Sequence, residues 1–586
     1  MQISQVKLKG FRNFRNATIN LSSKSLILGC NDIGKSNMLH ALRILLDKRL
    51  SPADLDPQDS DFYVHEETNE IEILIEFSEV YEDCVLAKLR EHVSDEGRTY
   101  LAYRATRDPV SNSKDYQILA GRAADALVEI DSRFYLRVLD LEFMGSKRDL
   151  FSFLRQERTH LLQDAKEARE DEEAIEDNKV LSEIQSQLLG VNNNVASLAY
   201  VKKATDRLNK ELAALSFQAA KEEVFFDTGT ADPSLFVDGL ELASRVGEKT
   251  LSVGGDGKNN QIHLALWAAR NMSTLDSEEE PLKVTIFCIE EPEAHLHPHQ
   301  QRKLAAYLAD TLKAQVIITS HSPQIVCEFP PASIIRLYSN HPDTLAAGDG
   351  ATPFTEKALI EFGHRLNIIP AEAFYSHLIL LVEGTSEVMF YRNLAPAIGI
   401  DPDRLNISIL SVSGIGFKPY IILLNSLSIG YVIRTDNDVF RIPRREAYRL
   451  AGVERGIEIY RGFCREDSEF EALLQKHEGE LQGFPTCVPP TENKTAATAI
   501  SGMLEKFNIF VADDDLEHDL HDALGEVTSA FFGQDADGET VRQMQKRKAT
   551  SMFGFLLEHS NELARLRDHS LAKPLLRCQR MAESWP

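Results

Sequence analysis

The sequence predicts an α/β chain whose strands end in phosphate-binding and acidic loops, and three patterns carry that expectation. The run SLIL leads into Gly29-x4-Gly34-Lys35-Ser36 and then into an amphipathic stretch through Leu46, giving strand, glycine loop and helix in that order. Six residues from Val284 form a second apolar strand that ends at Glu290-Glu291. Two further apolar strands, LILLV and YVIRT, end at Glu383-Gly384 and at Asp436-Asn437-Asp438. Acids at the carboxyl ends of neighbouring strands make a place for a divalent ion, which wants hard oxygen ligands.

A chain of 586 residues exceeds the usual size of one core, so two or three domains are expected. No apolar run approaches the ~18 residues that span a bilayer. The opening MQISQVKLKGFRNF has no apolar signal segment, so a cytoplasmic protein without membrane contact is expected. Seven cysteines, odd in number and without CxxC spacing, read as reduced thiols rather than a disulfide framework or zinc site. A net charge of −26 excludes a protein that coats nucleic acid non-specifically, because that needs clustered Lys and Arg. Nucleic-acid contact must be local. Acid concentrates at 166–178, a solvated helical face, while basic clusters fall at 441–449 and 542–548.

In the first loop, Gly29 and Gly34 let backbone amides wrap phosphates, with Asn31 between them. Lys35 reaches the β and γ oxygens, Ser36 ligates Mg²⁺, and the helix dipole favours the anion. Glu290 then holds the hydration shell of that ion, and Glu291 orients or deprotonates the attacking water. Glu290 stands where Asp is more usual, and its extra methylene shifts the metal, so tight binding with slow hydrolysis is expected. His295, His297 and His299 have alternate spacing that fits one metal only on a strand, and Pro298 argues against a strand there.

LSVGGDGKNNQIHLAL at 251–266, VIITSHSP at 316–323 and the opening KLKGFRNFRNATINL share their order with the two nucleotide motifs. The set resembles the ABC-type ATPase heads of the SMC and RecF kind. The resemblance implies that Ser252, Gly254 and Gly255 donate to a γ-phosphate held by another protomer, that His321 lies beside the γ-phosphate, and that Arg12 lies near the nucleotide. The head is then split. Residues 1–149 form its first part, 150–220 a helical insertion for dimerisation or a lid on its own head, and 221–340 its second part. A Gly-, Pro- and Ala-rich stretch at 341–353 opens a linker taken to run to 370.

From 371 to 586, Glu383 in VEGTSE and the turn TDND resemble a Toprim domain, the metal-binding α/β module of topoisomerases, primases and OLD-family nucleases. Glu387, one helical turn beyond Glu383, shares its face. A third acidic set, DDDLEHDLHD at 513–522, opens an apolar-periodic stretch. Its Asp515, Glu517 and Asp519 complete a two-metal site, against the plainer reading of an acidic loop on an acidic protein. Lys546 and Lys548 are both candidates for a cation that stabilises the transition state, and composition does not separate them.

The order FRNF, GCNDIGKSN, IEEPEAHLH, TSHSP, VEGTSE, RTDND, DLEHDL, KRK resembles the OLD family of nucleases over essentially the whole chain, and more closely the nuclease subunit of the Gabija anti-phage system. That resemblance implies Glu383, Asp436, Asp515 and Glu517 as a site for Mg²⁺ or Mn²⁺, to which spacing adds Glu387 and the TDND turn adds Asp438, and it implies Lys548 as the catalytic lysine. It implies DNA as substrate, and ATP as a regulatory nucleotide that restrains cleavage until pools fall. It also implies a homodimer or homotetramer with a UvrD-like helicase subunit as partner. The competing classes are an SMC- or RecF-like DNA-repair ATPase, and a topoisomerase or primase. Intact acids at all three places count against the first. Strand passage needs a tyrosine on a separate cleavage domain, for which little chain remains.

Overall fold

The computed structural model describes residues 1–145, 169–215, 283–294, 296–349 and 371–584, apart from 413, 415, 443, 445, 482 and 534–538, together with 159, 162, 163, 165, 166, 243–246 and 249–252. Two compact units divide the chain: 1–145, 281–293 and 297–586 form one, and 146–280 with 294–296 the other.

The first unit opens on β1 (Gln2–Phe11), where Val6, Leu8 and Gly10 are buried and Lys7 and Lys9 face water, the alternation of a half-buried antiparallel strand. With β2 (Phe14–Asn20), β4 (Glu70–Ser78), β5 (Thr99–Arg107), β6 (Lys114–Gly121) and β7 (Leu127–Glu129) it forms a sheet of order β2-β1-β4-β5-β6-β7. The second sheet is mostly parallel and holds the nucleotide motifs. Its members are β3 (Lys24–Leu28), β8 (Leu139–Met144), β11 (Val284–Glu290), β12 (Gln315–Thr319), β13 (Ile334–Asn340) and β14 (Asp343–Ala346), in the order β14-β13-β3-β12-β11-β8. The helix Lys35–Leu46 leaves β3 and buries Met38, Leu39, Leu42, Leu45 and Leu46 in the core that the two sheets share.

Composition marks 341–353 as linker, but Asp343–Ala346 is the antiparallel edge strand β14. Thr344 and Ala346 are buried, and Thr344 Oγ1 accepts a 2.7 Å hydrogen bond from Asn13, which ties the edge to the start of the chain. Tertiary contacts outweigh a turn-forming composition here. Residues 350–370 lie outside the described set.

The last third builds a parallel sheet of β15 (Leu378–Val382), β16 (Ile407–Ser411), β17 (Gly430–Thr435) and β20 (Ile509–Val511), in the order β16-β15-β17-β20. β15 and β17 are neighbours, as the acid-tipped strands require. Val382 and Thr435, the last residues of those strands, bring Glu383 and Asp436 to the same edge. A separate hairpin, β18 (Val439–Arg441) with β19 (Tyr448–Leu450), follows the Asp436–Asp438 turn directly. Helices Thr385–Ala397, Lys548–His559 and Lys573–Glu583 supply Phe390, Phe555 and Leu575 to a second core.

In the second unit the described residues form helices Asp171–Ala196 and Ala199–Leu215 and an antiparallel pair, β9 (Ala243–Val246) with β10 (Lys249–Ser252). The acidic run falls on the exposed start of the first helix. Ser252 ends β10, and Gly254 and Gly255 lie outside the described residues. Among the described residues no helix is long and apolar enough to cross a membrane.

Candidate nucleotide site and acidic centre

Gly34 caps the Lys35–Leu46 helix at φ +101°, in the left-handed region that favours glycine. A Cβ there would stand 2.2 Å from Asn13 Nδ2. Asn13 Nδ2 donates to the Ile33 carbonyl at 2.8 Å, and Asn37 Nδ2 donates to Asn13 Oδ1 at 2.8 Å. Arg12 completes this bracket around the loop, donating to Asp61 Oδ1 at 2.9 and 3.0 Å and to Asn37 Oδ1 at 2.9 Å. Asn31 is exposed at the loop crest.

Lys35 is 6% exposed and folded back on its own loop, with Nζ donating to the carbonyls of Gly29 at 3.0 Å and Cys30 at 2.8 Å. Burial lowers its pKa against the pull of Glu291 and its other neighbours. Ser36 Oγ donates to Glu290 Oε1, which brings together the two residues assigned to the nucleotide's metal. Glu291 sits at φ +46°, its amide donating to the Thr319 carbonyl at 3.0 Å, and His321 Nε2 lies 3.4 Å from Glu291 Oε1. Such backbone strain in a non-glycine residue clusters at functional sites. Lys35, Ser36, Glu290, Glu291 and His321 therefore belong to one constellation at the ends of β3, β11 and β12, and Arg12, at the end of β1, is tied to the same helix through Asn37.

Glu293 was missed in the sequence. Its Oε1 accepts from Ser320 Oγ at 2.8 Å and from the His321 amide at 2.6 Å, which fixes the loop that carries His321. Burial pushes its carboxyl up, and the neighbouring Glu291 adds to this. A third carboxylate so soon after Glu290-Glu291 was the available signal.

At the acidic edge, Glu383 Oε1 accepts the Asp436 amide at 3.0 Å, together with hydrogen bonds from Thr435 Oγ1 and Arg455. Gly384 is extended at φ −138° and lies close to the Glu387 carboxylate. Asp515 caps the helix Leu516–Phe532, accepting the His518 amide at 2.8 Å, and Gln545 donates to its other oxygen at 2.6 Å. Lys548 Nζ lies 3.3 Å from Glu517 Oε2. That carboxylate oxygen is buried, and the ammonium is its compensating charge.

The groups feel one another. Burial, then Asp436, raises Glu387; burial, then Asp436 and Asp515, raises Asp438; burial raises Glu517 against the opposing Lys548. Burial also works against ionised Asp515, but the His518 hydrogen bonds prevail and hold its pKa down. Burial opposes the charge on Lys548 as well, yet Glu517, Asp436 and Asp515 together raise its pKa. Lys546 is exposed on the neighbouring helix.

Among the described residues no three His, Cys, Asp or Glu side chains are gathered closely enough to form a finished metal centre. Cations of the chain hold the carboxylates instead: Arg455 at Glu383, Arg434 at Asp436 and Lys548 at Glu517. The donor set still fits a hard divalent ion. Glu387 and Asp438 are desolvated acids raised by like-charged neighbours, the condition an added cation relieves. Arg434 and Arg455 were not singled out in the sequence, although Arg434 stands inside the RTDND motif.

Comparison with known proteins identifies two domains in the chain. The AAA ATPase domain family matches residues 1–326, and the overcoming lysogenization defect protein-like TOPRIM domain matches 374–438. Endonuclease GajA of Bacillus cereus (strain VD045) is 26% identical over 575 residues, covering 94% of this chain and 94% of that protein. OLD nuclease of Thermus scotoductus (strain ATCC 700910 / SA-01) is 24% identical over 457 residues, covering 76% of this chain and 83% of that protein. An SMC head bound to the C-terminal winged-helix domain of ScpA aligns with a TM-score of 0.37 at 18% identity, covering 59% of this chain and 97% of that one. The chain belongs to the AAA ATPase domain family, which matches more than half of it, and carries an OLD-like TOPRIM domain behind that match.

Proposed function

We propose that the chain is a divalent-metal-dependent DNA endonuclease whose ATPase head restrains cleavage when nucleotide is bound. The observation that carries the nuclease reading is that Glu383 and Asp436 follow the ends of the neighbouring parallel strands β15 and β17, Glu383 accepting the Asp436 amide, while Lys548 lies beside Glu517. Glu383, Glu387, Asp436, Asp438, Asp515 and Glu517 would hold Mg²⁺ or Mn²⁺, which supplies activation of water and neutralisation of phosphoryl charge in phosphodiester hydrolysis. Lys548 keeps its proton beside these acids and offers positive charge to the phosphate as negative charge builds there. The names of the two relatives, one an endonuclease and the other a nuclease, favour the same chemistry.

Contacts between the nucleotide loops and the root of β15 support the restraint. Cys30 Sγ of the glycine loop lies 3.3 Å from His377 Nε2, and the His321 ring stacks on Tyr375 at 6.4 Å between centroids. Arg336, paired in register with Leu28 ahead of that loop, is 3% exposed and donates to the carbonyls of Leu427, Ser428 and Ser376 at 3.0, 3.0 and 2.9 Å. Residues 375–377 lead straight into the strand that ends at Glu383, so movement of either nucleotide loop bears on the acidic edge. Lys35, Ser36, Glu290, Glu291 and His321 would hold the nucleotide, and the Glu290 departure suits slow turnover. Ser252, Gly254 and Gly255 would complete the site from another protomer. A role in anti-phage defence, homo-oligomeric assembly and a UvrD-like helicase partner follow the Gabija resemblance.

Purified protein incubated with supercoiled plasmid in Mg²⁺ without nucleotide tests the nuclease reading. Nicked or linear product is expected, with Glu383→Ala and Asp436→Ala folded and inactive. Relaxed closed circles would instead indicate a topoisomerase, and near-wild-type cleavage by either variant would remove the assigned site.

A further inference from the structure

The hairpin β18–β19 leaves the acidic turn one residue after Asp438 and is braced on it. Gly452, just past β19, packs so closely that a Cβ would stand 2.3 Å from the Asp436 carbonyl oxygen. The Tyr448 amide donates to the Phe484 carbonyl at 2.7 Å and the Phe484 amide donates back at 2.9 Å, while the Ile442 amide donates to the Ala447 carbonyl at 2.8 Å. The base of the hairpin is thus fixed to the element that carries Asp436.

Its outer parts carry the opposite chemistry to the edge beneath. Phe440 is 46% exposed, and the guanidinium of its cross-strand partner Arg449 lies 5.7 Å from the ring centroid. The side chains of Arg441 and Arg444 are exposed. The chain carries a net charge of −26, and the adjoining turn holds several carboxylates. A polyanion reaches such an edge only where local cations offset that repulsion. An exposed aromatic ring backed by a guanidinium is, in turn, a platform for a base face.

Resting on the nuclease reading, we propose that strands β18 and β19 form a strand-guiding hairpin, with Arg441 and Arg444 contacting backbone phosphates and Phe440 stacking on an unpaired base beside the edge. The preferred substrate is then DNA with a locally unpaired strand rather than intact duplex. Stacking also explains why the ring stands in solvent next to a polar turn.

The test uses the full chain carrying Glu383→Ala, which binds without cutting. Fluorescence anisotropy follows a labelled duplex and the same duplex with a short single-stranded gap, across a salt titration. Arg441→Ala with Arg444→Ala should weaken both DNAs and reduce the log–log salt slope by about 1.4–1.8, the loss of two phosphate contacts. Phe440→Leu should weaken the gapped DNA by roughly 5–150-fold, the value of one stacked base, and the intact duplex far less, while Phe440→Trp retains binding. Unchanged isotherms for the arginine pair, or equal losses on both DNAs for Phe440→Leu, overturn the proposal. So does a fall in molar mass by light scattering for Phe440→Leu with DNA binding intact, which would make the hairpin a protein-docking element. If the parent chain binds neither DNA, the nuclease reading falls and this inference with it.

Discussion

Arg434 is enclosed by the acids it serves. Its two terminal nitrogens reach Asp436 at 2.7 Å and Asp519 at 3.2 Å, and its side chain is 3% exposed. Burial pushes Asp519 up to about 6 even with this arginine beside it. Removing one member of a buried ion group is costly because it strands the others, typically by about 3–5 kcal/mol, whereas replacing the members together by apolar groups is often nearly neutral. Arg434→Met is therefore expected to lower the unfolding free energy by about 3–5 kcal/mol. Adding Asp519→Leu should restore much of that loss, but not metal binding, because Asp436 stays unsupported. Denaturant unfolding and calorimetric Mn²⁺ titration of both variants check this; Mn²⁺ affinity at the wild-type level in the double variant would show that Arg434 does not position Asp436. The sequence displayed the carboxylates because charge at the end of an apolar run stands out. It hid Arg434 and Arg455, whose importance lies in partners 85 and 72 residues away. Likewise the preference for Lys548 over Lys546 rests on resemblance, and the 3.3 Å approach of Lys548 to Glu517 is a contact that composition does not display.

Among elements, the glycine loop is tightly constrained. Gly34 combines φ +101° with a Cβ position 2.2 Å from Asn13, so any side chain both strains the backbone and displaces the Arg12–Asn13–Asn37 bracket. A left-handed conformation in a non-glycine residue costs about 1–2 kcal/mol before that clash is counted. Gly34→Ala is expected to weaken ATP binding by at least about tenfold while the fold persists. Titration with a fluorescent ATP analogue measures it, and unaltered affinity would contradict the assigned loop. The loop and its strand were legible because the glycine spacing, Lys35-Ser36 and both flanking elements occur together in the sequence. The edge strand β14 was not, since it is held by Asn13 from the far end of the head and by Leu337 across the ladder, neither of which shows in local composition.

For the whole molecule, the proposed restraint requires that a nucleotide at one sheet govern acids at another. The acids occupy the edge reached by β15, and the nucleotide loops touch that strand's root through Cys30 with His377, and His321 with Tyr375. The presence of two sites was legible from motifs, because each is a local pattern. The connection between them was not, because Tyr375 and His377 carry no chemistry of their own in the sequence. By linkage, nucleotide shifts the acidic edge only if it binds the restrained and active arrangements with different affinity. A coupling of ~1–3 kcal/mol changes their ratio by roughly 5–150-fold. The direct measurement is the rate of plasmid cleavage across an ATP titration with free Mg²⁺ held constant, comparing wild type with Lys35→Ala. The account predicts suppression within that range for wild type, and unsuppressed cleavage by Lys35→Ala at every ATP concentration. Cleavage that is unaffected or stimulated by ATP in the wild type would contradict it, and would make the head a motor or a loading device.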